Sequence, residues 1–164
     1  MSYPEHRYLG DGGEVSAVLR PADHPAELEN PGTGSSAHYL ATGTMTAGDF
    51  GLYRWNMGAT PSGPAPHFHR TMSESFFVID GTVSLYDGQG WRDATAGDFL
   101  YVPAGGIHGF RNESGSPASM LILFTPGAPR EAYFEGLADV ALGNRKMTPE
   151  EYDAFCVEHD NHFI

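Results

Sequence analysis

The chain has a single cysteine, Cys156, so no disulfide can form within it. An oxidising compartment is therefore not implied, and Cys156 reads as a small apolar residue of a C-terminal helix. Basic residues are also scarce: 9 Lys and Arg stand against 21 Asp and Glu, for a formal net charge of −12. Nucleic-acid affinity rests on clustered Lys and Arg, so nucleic acid is excluded as a partner, and no helix-turn-helix segment is evident. Long apolar runs are missing. The longest, Met120 to Phe124, is much too short to cross a bilayer, and the stretch from Met1 to Arg7 has no apolar signal core. No membrane partner is expected, and the cytoplasm is the expected compartment.

Glycine (21) and proline (12) are plentiful, whereas charged residues make up only 18% of the 164 positions. That composition suits one turn-rich all-β domain with a real core. Strand-like runs cover His38 to Thr42, Phe50 to Met57, Glu74 to Ile79, Thr82 to Tyr86, Asp98 to Val102, His108 to Asn112 and Ala118 to Phe124. Ala47-Gly48-Asp49 reads as a turn, as does Asp87 to Gly90. Asp80-Gly81 predicts a type I′ hairpin that folds Thr82 to Tyr86 back on the preceding strand. Val15 to Leu19 predicts an edge strand, and Pro31 to Ser36 a flexible loop. Beyond Pro129 the composition turns helical as far as Leu142. Thr148-Pro149-Glu150-Glu151 then opens a second helix, with Thr148 and Glu151 as a capping box. Asn112-Glu113-Ser114 spells a glycosylation sequon, which is set aside without a secretion signal.

The stretch with most chemistry runs from His67 to Asn112. His67 and His69 alternate with one residue between them, so on a strand both imidazoles point to one side. Glu74 would fall on the opposite face of an unbroken strand, but the polar segment Arg70-Thr71-Met72-Ser73 can bend the chain and return it to the histidine side. His108 arrives from another strand, after the turn-forming Pro103-Ala104-Gly105-Gly106. Three imidazoles and one carboxylate suit one divalent first-row transition metal, whether Fe, Mn, Ni, Cu or Zn. On an octahedral ion they leave positions open for water, dioxygen or a chelating substrate. His38 reads as a hydrogen-bonded strand residue. His159 and His162 read as a frayed, solvated tail, not a second metal site.

These residues resemble the cupin superfamily. Its first motif sets a His-x-His pair, a Glu and a Gly in order, and His67, His69, Glu74 and Gly81 match it. Pro61 stands where that motif has its opening Gly. Gly97, Pro103, Gly105, His108 and Asn112 match the second motif without a gap. The resemblance covers roughly residues 38–126 and implies an all-β double-stranded β-helix, the cupin jelly-roll barrel, with an N-terminal arm and short C-terminal helices. It divides the chain into an arm over 1–35, a barrel over 36–126 and a helical segment over 127–164. It also implies a homodimer formed by sheet packing and arm exchange.

By the same resemblance, His67, His69, Glu74 and His108 are the metal ligands. Glu74 is open to two roles, as a ligand or, swung off the ion, as the catalytic base, a role this motif position has in flavonol-cleaving cupins. Strand parity turns Phe76, Val78 and Phe110 inward beside the metal, and Met120 and Ile122 join them to form the substrate pocket. No site for an organic cofactor is indicated. Parity forces no Lys or Arg into the barrel, though it leaves the facing of Arg54 open. The expected substrate is therefore a small, largely uncharged aromatic or enolic molecule. The expected function is a mononuclear dioxygenase of the quercetin 2,3-dioxygenase type, taking dioxygen as co-substrate. A non-redox cyclase or isomerase of the polyketide type and a non-catalytic small-molecule-binding cupin are the alternatives.

Overall fold

The structure, a computed structural model, describes residues 2–164. Its strands are β1 (Leu28–Asn30), β2 (Ser35–Ala41), β3 (Gly51–Met57), β4 (His67–Phe68), β5 (Ser73–Asp80), β6 (Thr82–Tyr86), β7 (Trp91–Thr95), β8 (Phe99–Val102), β9 (Gly109–Arg111), β10 (Ala118–Thr125) and β11 (His162–Phe163). Two helices, α1 (Glu131–Ala141) and α2 (Pro149–Glu158), lie between β10 and β11.

Alternation along the strands decides which face is packed. In β10, Ala118, Met120, Ile122 and Phe124 are buried while the residues between them are half-buried. This strand lies at the centre of a six-stranded antiparallel sheet ordered β1-β2-β3-β10-β5-β8. Met120 is opposite Trp55 and Val78, and Ile122 is opposite Tyr53 and Phe76, so the inward residues of three strands fall in rows. The second sheet, β7-β6-β9, is extended by antiparallel bridges from Ser62 to Asn112 and from His67 to His108, which bring in β4 and its partner β11. Tyr53, Phe76, Val78, Met120, Ile122 and Phe124 form the centre of the core. Each such side chain, once fully buried, contributes about 1.5–3 kcal/mol.

Three expectations need correction. Gly81 does not close a hairpin, because β5 pairs with β10 and β8 whereas β6 pairs with β7 and β9. At this glycine the chain steps from one sheet to the other. Its φ of +73° is left-handed, and a Cβ there would lie 2.5 Å from the Pro117 carbonyl oxygen. Val15 to Leu19 forms no strand: Val15, Val18 and Leu19 are exposed, and the first pairing is that of β1 with β2. The C-terminal tail is not frayed, since His162 and Phe163 pair with Phe68 and His67.

At α2, the Thr148 side chain accepts from Glu151 N and the Glu151 carboxylate accepts from Thr148 N, so the capping box is formed. Cys156 is buried in the same helix. No helix among the described residues is long and apolar enough to cross a membrane.

Candidate metal centre

The bend over residues 69–72 separates β4 from β5, and it returns Glu74 to the histidine side. His67 and His108 face each other across a two-bond bridge, His67 N to His108 O at 2.8 Å and His108 N to His67 O at 2.9 Å. Their rings stand 4.4 Å apart. His67, His69, Glu74 and His108 are 3%, 2%, 4% and 1% exposed, and their ligand atoms all lie within 4.8 Å of one another. Atoms bound about 2.1 Å from one ion are separated by about 3 Å when cis and about 4 Å when trans. The widest spacing exceeds the trans value by less than about 1 Å, so small side-chain shifts bring the four donors onto a single metal ion.

The imidazoles are held by backbone carbonyls, which can only accept. His67 Nδ1 donates to Ala65 O at 2.9 Å, His69 Nδ1 to Asp160 O at 2.6 Å and His108 Nδ1 to Gly106 O at 2.9 Å. With each proton fixed on Nδ1, the neutral rings present Nε2 lone pairs to the centre. Nε2 of His69 and Nε2 of His108 both lie 2.8 Å from Glu74 Oε2. A lone pair facing a carboxylate at that distance requires a positive centre between them, either a proton or a metal ion.

In the metal-free protein protons occupy that gap: burial raises the Glu74 carboxyl pKa, but hydrogen bonds from Nε2–H of His108 and His69 outweigh it and hold the group well below the usual carboxylate range. Burial lowers His67 to about 4 against the opposing charge of Glu74, so this ring is neutral at neutral pH. His108 is also lowered by burial, but its hydrogen bond and charge interaction with Glu74 prevail and its pKa is raised. The group is thus a carboxylate beside imidazoles of unequal basicity.

A cavity of about 590 Å³ opens onto the site, and His67 and Glu74 are in its wall. This is within the range of small-molecule pockets. Of the residues expected in the pocket, Phe110 and Ile122 line the cavity. Phe76, Val78 and Met120 are fully buried in the packed barrel interior and are absent from the cavity wall. Trp55, Phe124 and Phe134 supply the aromatic surface in their place. Arg54 faces outward, where Nη2 approaches His38 Nε2 at 3.2 Å, and His38 is accordingly a sheet residue remote from the metal group.

Sequence reasoning missed the C-terminal contribution. Asp160 accepts at its carboxylate from Arg70 N, Thr71 N and Thr71 Oγ1, and so fixes the bend that carries His69. Arg130, 3% exposed, lines the cavity together with Asn161. It arrives after β10, at the N-cap of α1, so strand parity had no bearing on it. The expectation of a cavity without a cation is therefore corrected.

The Cupin domain family matches residues 53–124. The quercetin 2,3-dioxygenase of Bacillus subtilis is 33% identical over 79 residues, which is 48% of this chain and 23% of that protein. The chain thus spans about a quarter of that relative's length. An uncharacterised protein of Streptomyces coelicolor is 30% identical over 100 residues, 61% of this chain and 90% of that one. Among solved structures, the polyketide cyclase RemF of Streptomyces resistomycificus superposes with a TM-score of 0.54 at 21% identity, over 66% of this chain and 78% of that one. The chain belongs to the cupin superfamily, with a buried His-His-Glu-His group positioned to bind a metal.

Proposed function

We propose that the protein is a mononuclear metal-dependent cupin enzyme, an oxygenase acting on a small aromatic or enolic compound. The observation that carries this reading is the buried four-donor group with His67 and Glu74 in the wall of an aromatic-lined cavity. His67, His69, His108 and Glu74 would hold a divalent first-row ion, which when bound supplies open positions for chelating oxygens and for dioxygen. Trp55, Phe110 and Phe134 orient a planar molecule and exclude water from it. Glu74, ionised at neutral pH, accepts the proton of a substrate hydroxyl; the O–H electron pair stays on the substrate as an enolate or phenolate. That electron-rich form is the one that dioxygen oxidises. The sequence relationship to a quercetin 2,3-dioxygenase supports this reaction class.

A non-redox cyclisation or isomerisation uses the same proton acceptor. It is favoured by the ligand set itself, which accepts zinc as readily as a redox ion. Oxygen uptake with a panel of flavonols, diketones and phenolic acids separates the two. The oxygenase reading predicts uptake in step with substrate loss, and turnover under strict anaerobiosis overturns it. Glu74→Gln is expected to retain metal and lose turnover, and retained turnover removes the base role. A homodimer is part of the reading, supported by the exposed apolar outer face of β5 and the edge strand β8, where Phe77, Ile79, Phe99 and Tyr101 lie together.

A further inference from the structure

Arg130 is among the most buried charged residues of the chain, and none of its hydrogen-bond acceptors is a carboxylate. Nη1 donates to the backbone carbonyl of His159 at 2.5 Å and Nη2 to Asn161 Oδ1 at 2.7 Å. Nε has no partner. The guanidinium is packed among rings, with Cζ 5.0 Å from the centre of Phe124, 4.4 Å from Tyr133 and 5.5 Å from Phe134. Such stacking compensates a buried cation only in part. The Glu74 and Asp160 carboxylates attract the guanidinium without accepting its N–H groups, so its hydrogen bonding stays incomplete, which is costly for a buried charge.

The position of that cation gives it a use. Arg130 lines the same cavity as His67 and Glu74, and the Phe124 ring is near both groups, 6.1 Å from the His69 ring and 5.0 Å from Arg130 Cζ. Nε is sealed in the packing, but Nη1 and Nη2 each donate only one bond, and their remaining N–H groups form the paired donors that a carboxylate accepts. A divalent ion with the Glu74 carboxylate is net positive, and Arg130 adds a further positive charge. Glu29 and Asp153 also line the cavity, so Arg130, the one Lys or Arg in its wall, is a local positive point and not part of a net cationic surface. We propose that Arg130 is an anion subsite: the substrate is an aromatic acid whose carboxylate binds this guanidinium while its ring lies against Trp55, Phe110 and Phe134. This deepens the proposed function by naming the substrate class, and it rests on that reading for the second contact, at the metal.

Benzoate and benzamide differ in charge and little in shape, so the pair tests the subsite directly. Their binding to the metal-loaded full chain is measured by ligand-observed NMR, for wild type and Arg130→Met. Metal stoichiometry serves as the check that the variant is folded. Wild type is expected to prefer benzoate at least tenfold, and Arg130→Met to lose most of that preference while keeping its metal. Any preference due to the metal alone persists in the variant, so the difference belongs to Arg130. Equal binding of the two probes by wild type overturns the proposal, as does an undiminished preference in a metal-replete Arg130→Met. If that variant does not fold, Arg130→Lys replaces it, because lysine keeps the charge and loses the paired donors. A benzoate preference reduced fivefold or more is then expected, and an unchanged one overturns the proposal. Failure of oxygen uptake would sink the oxygenase reading alone and leave this binding result in place.

Discussion

The backbone carbonyl of Asp160 accepts a hydrogen bond from Nδ1 of His69 at 2.6 Å, across 91 residues of sequence. The same residue grips the bend after His69 through its carboxylate, with bonds of 2.9 Å from Arg70 N and 2.7 Å from Thr71 Oγ1. One residue of the C-terminal segment thus fixes both the tautomer and the position of a metal-group imidazole. The φ of Asp160 is +59°, which glycine tolerates without strain. Asp160→Gly therefore removes the carboxylate grip with little backbone penalty. Removing such outer support costs about 10- to 100-fold in metal affinity, and that loss is expected here with one ion still bound at saturation. Competition with a chromogenic chelator measures it; an unchanged affinity would show that the grip is dispensable.

The metal-free protein is expected to have a stability maximum in pH, with His67 the main contributor to an acid limb that His38 and His159, also lowered by burial, share, and His108 acting on the alkaline side. His67 is lowered to about 4 in the folded state, against about 6.5 unfolded. The unfolded chain binds more protons across that window, so stability falls as pH drops from about 6.5 through about 4, by an amount of order 3 kcal/mol. His108 is raised, so its contribution is complete below about 6.5 and is lost as pH rises through its folded value. Thermal unfolding in the presence of a chelator, across a pH series, tests both limbs. His67→Gln should flatten the acid limb, and an acid limb equally steep in the variant would assign it to other groups. Added metal should raise Tm more at neutral pH than near pH 5, roughly, because protons compete for the imidazoles.

Asn112, with no exposed surface, uses its whole side-chain amide. Nδ2 donates to Gly58 O at 2.9 Å and Ser116 O at 2.7 Å, while Oδ1 accepts from Ser114 N and from Ser114 Oγ. Asn112→Ala leaves several of these partners unsatisfied and should cost about 2–3 kcal/mol, read from urea unfolding. Metal stoichiometry should be unchanged below the transition, because no ligand is lost. A loss under 0.5 kcal/mol, roughly, would mean that water replaces the amide without penalty. The burial also explains why its sequon is no acceptor site in the folded chain.

The metal group was legible because its signals are local. Alternation places His67 and His69 on one side, and the Pro103 to Gly106 turn delivers His108 onto a strand. The capping box at Thr148 was legible for the same reason, since its bonds close within one helical turn. Arg130 and Asp160 were not legible. Asp160 acts on His69 through a backbone carbonyl, which any residue type supplies, and Arg130 reaches the cavity by tertiary packing that no periodicity records. Gly81 reveals a left-handed φ but not which sheet the next strand joins, so β6 was assigned to the wrong partner. Phe76, Val78 and Met120 face inward as parity requires, but depth along the barrel separates core from cavity wall, and parity is blind to depth.

The central claim is that the four-donor group binds one metal ion. Metal analysis by mass spectrometry on untagged wild-type protein and on His67→Ala/His108→Ala tests it most directly, with circular dichroism confirming that the variant is folded. About one equivalent of a first-row ion in wild type, lost in the double variant, is the predicted result. A wild-type protein that holds no metal even after reconstitution with Fe, Mn, Ni, Cu and Zn in turn would contradict it.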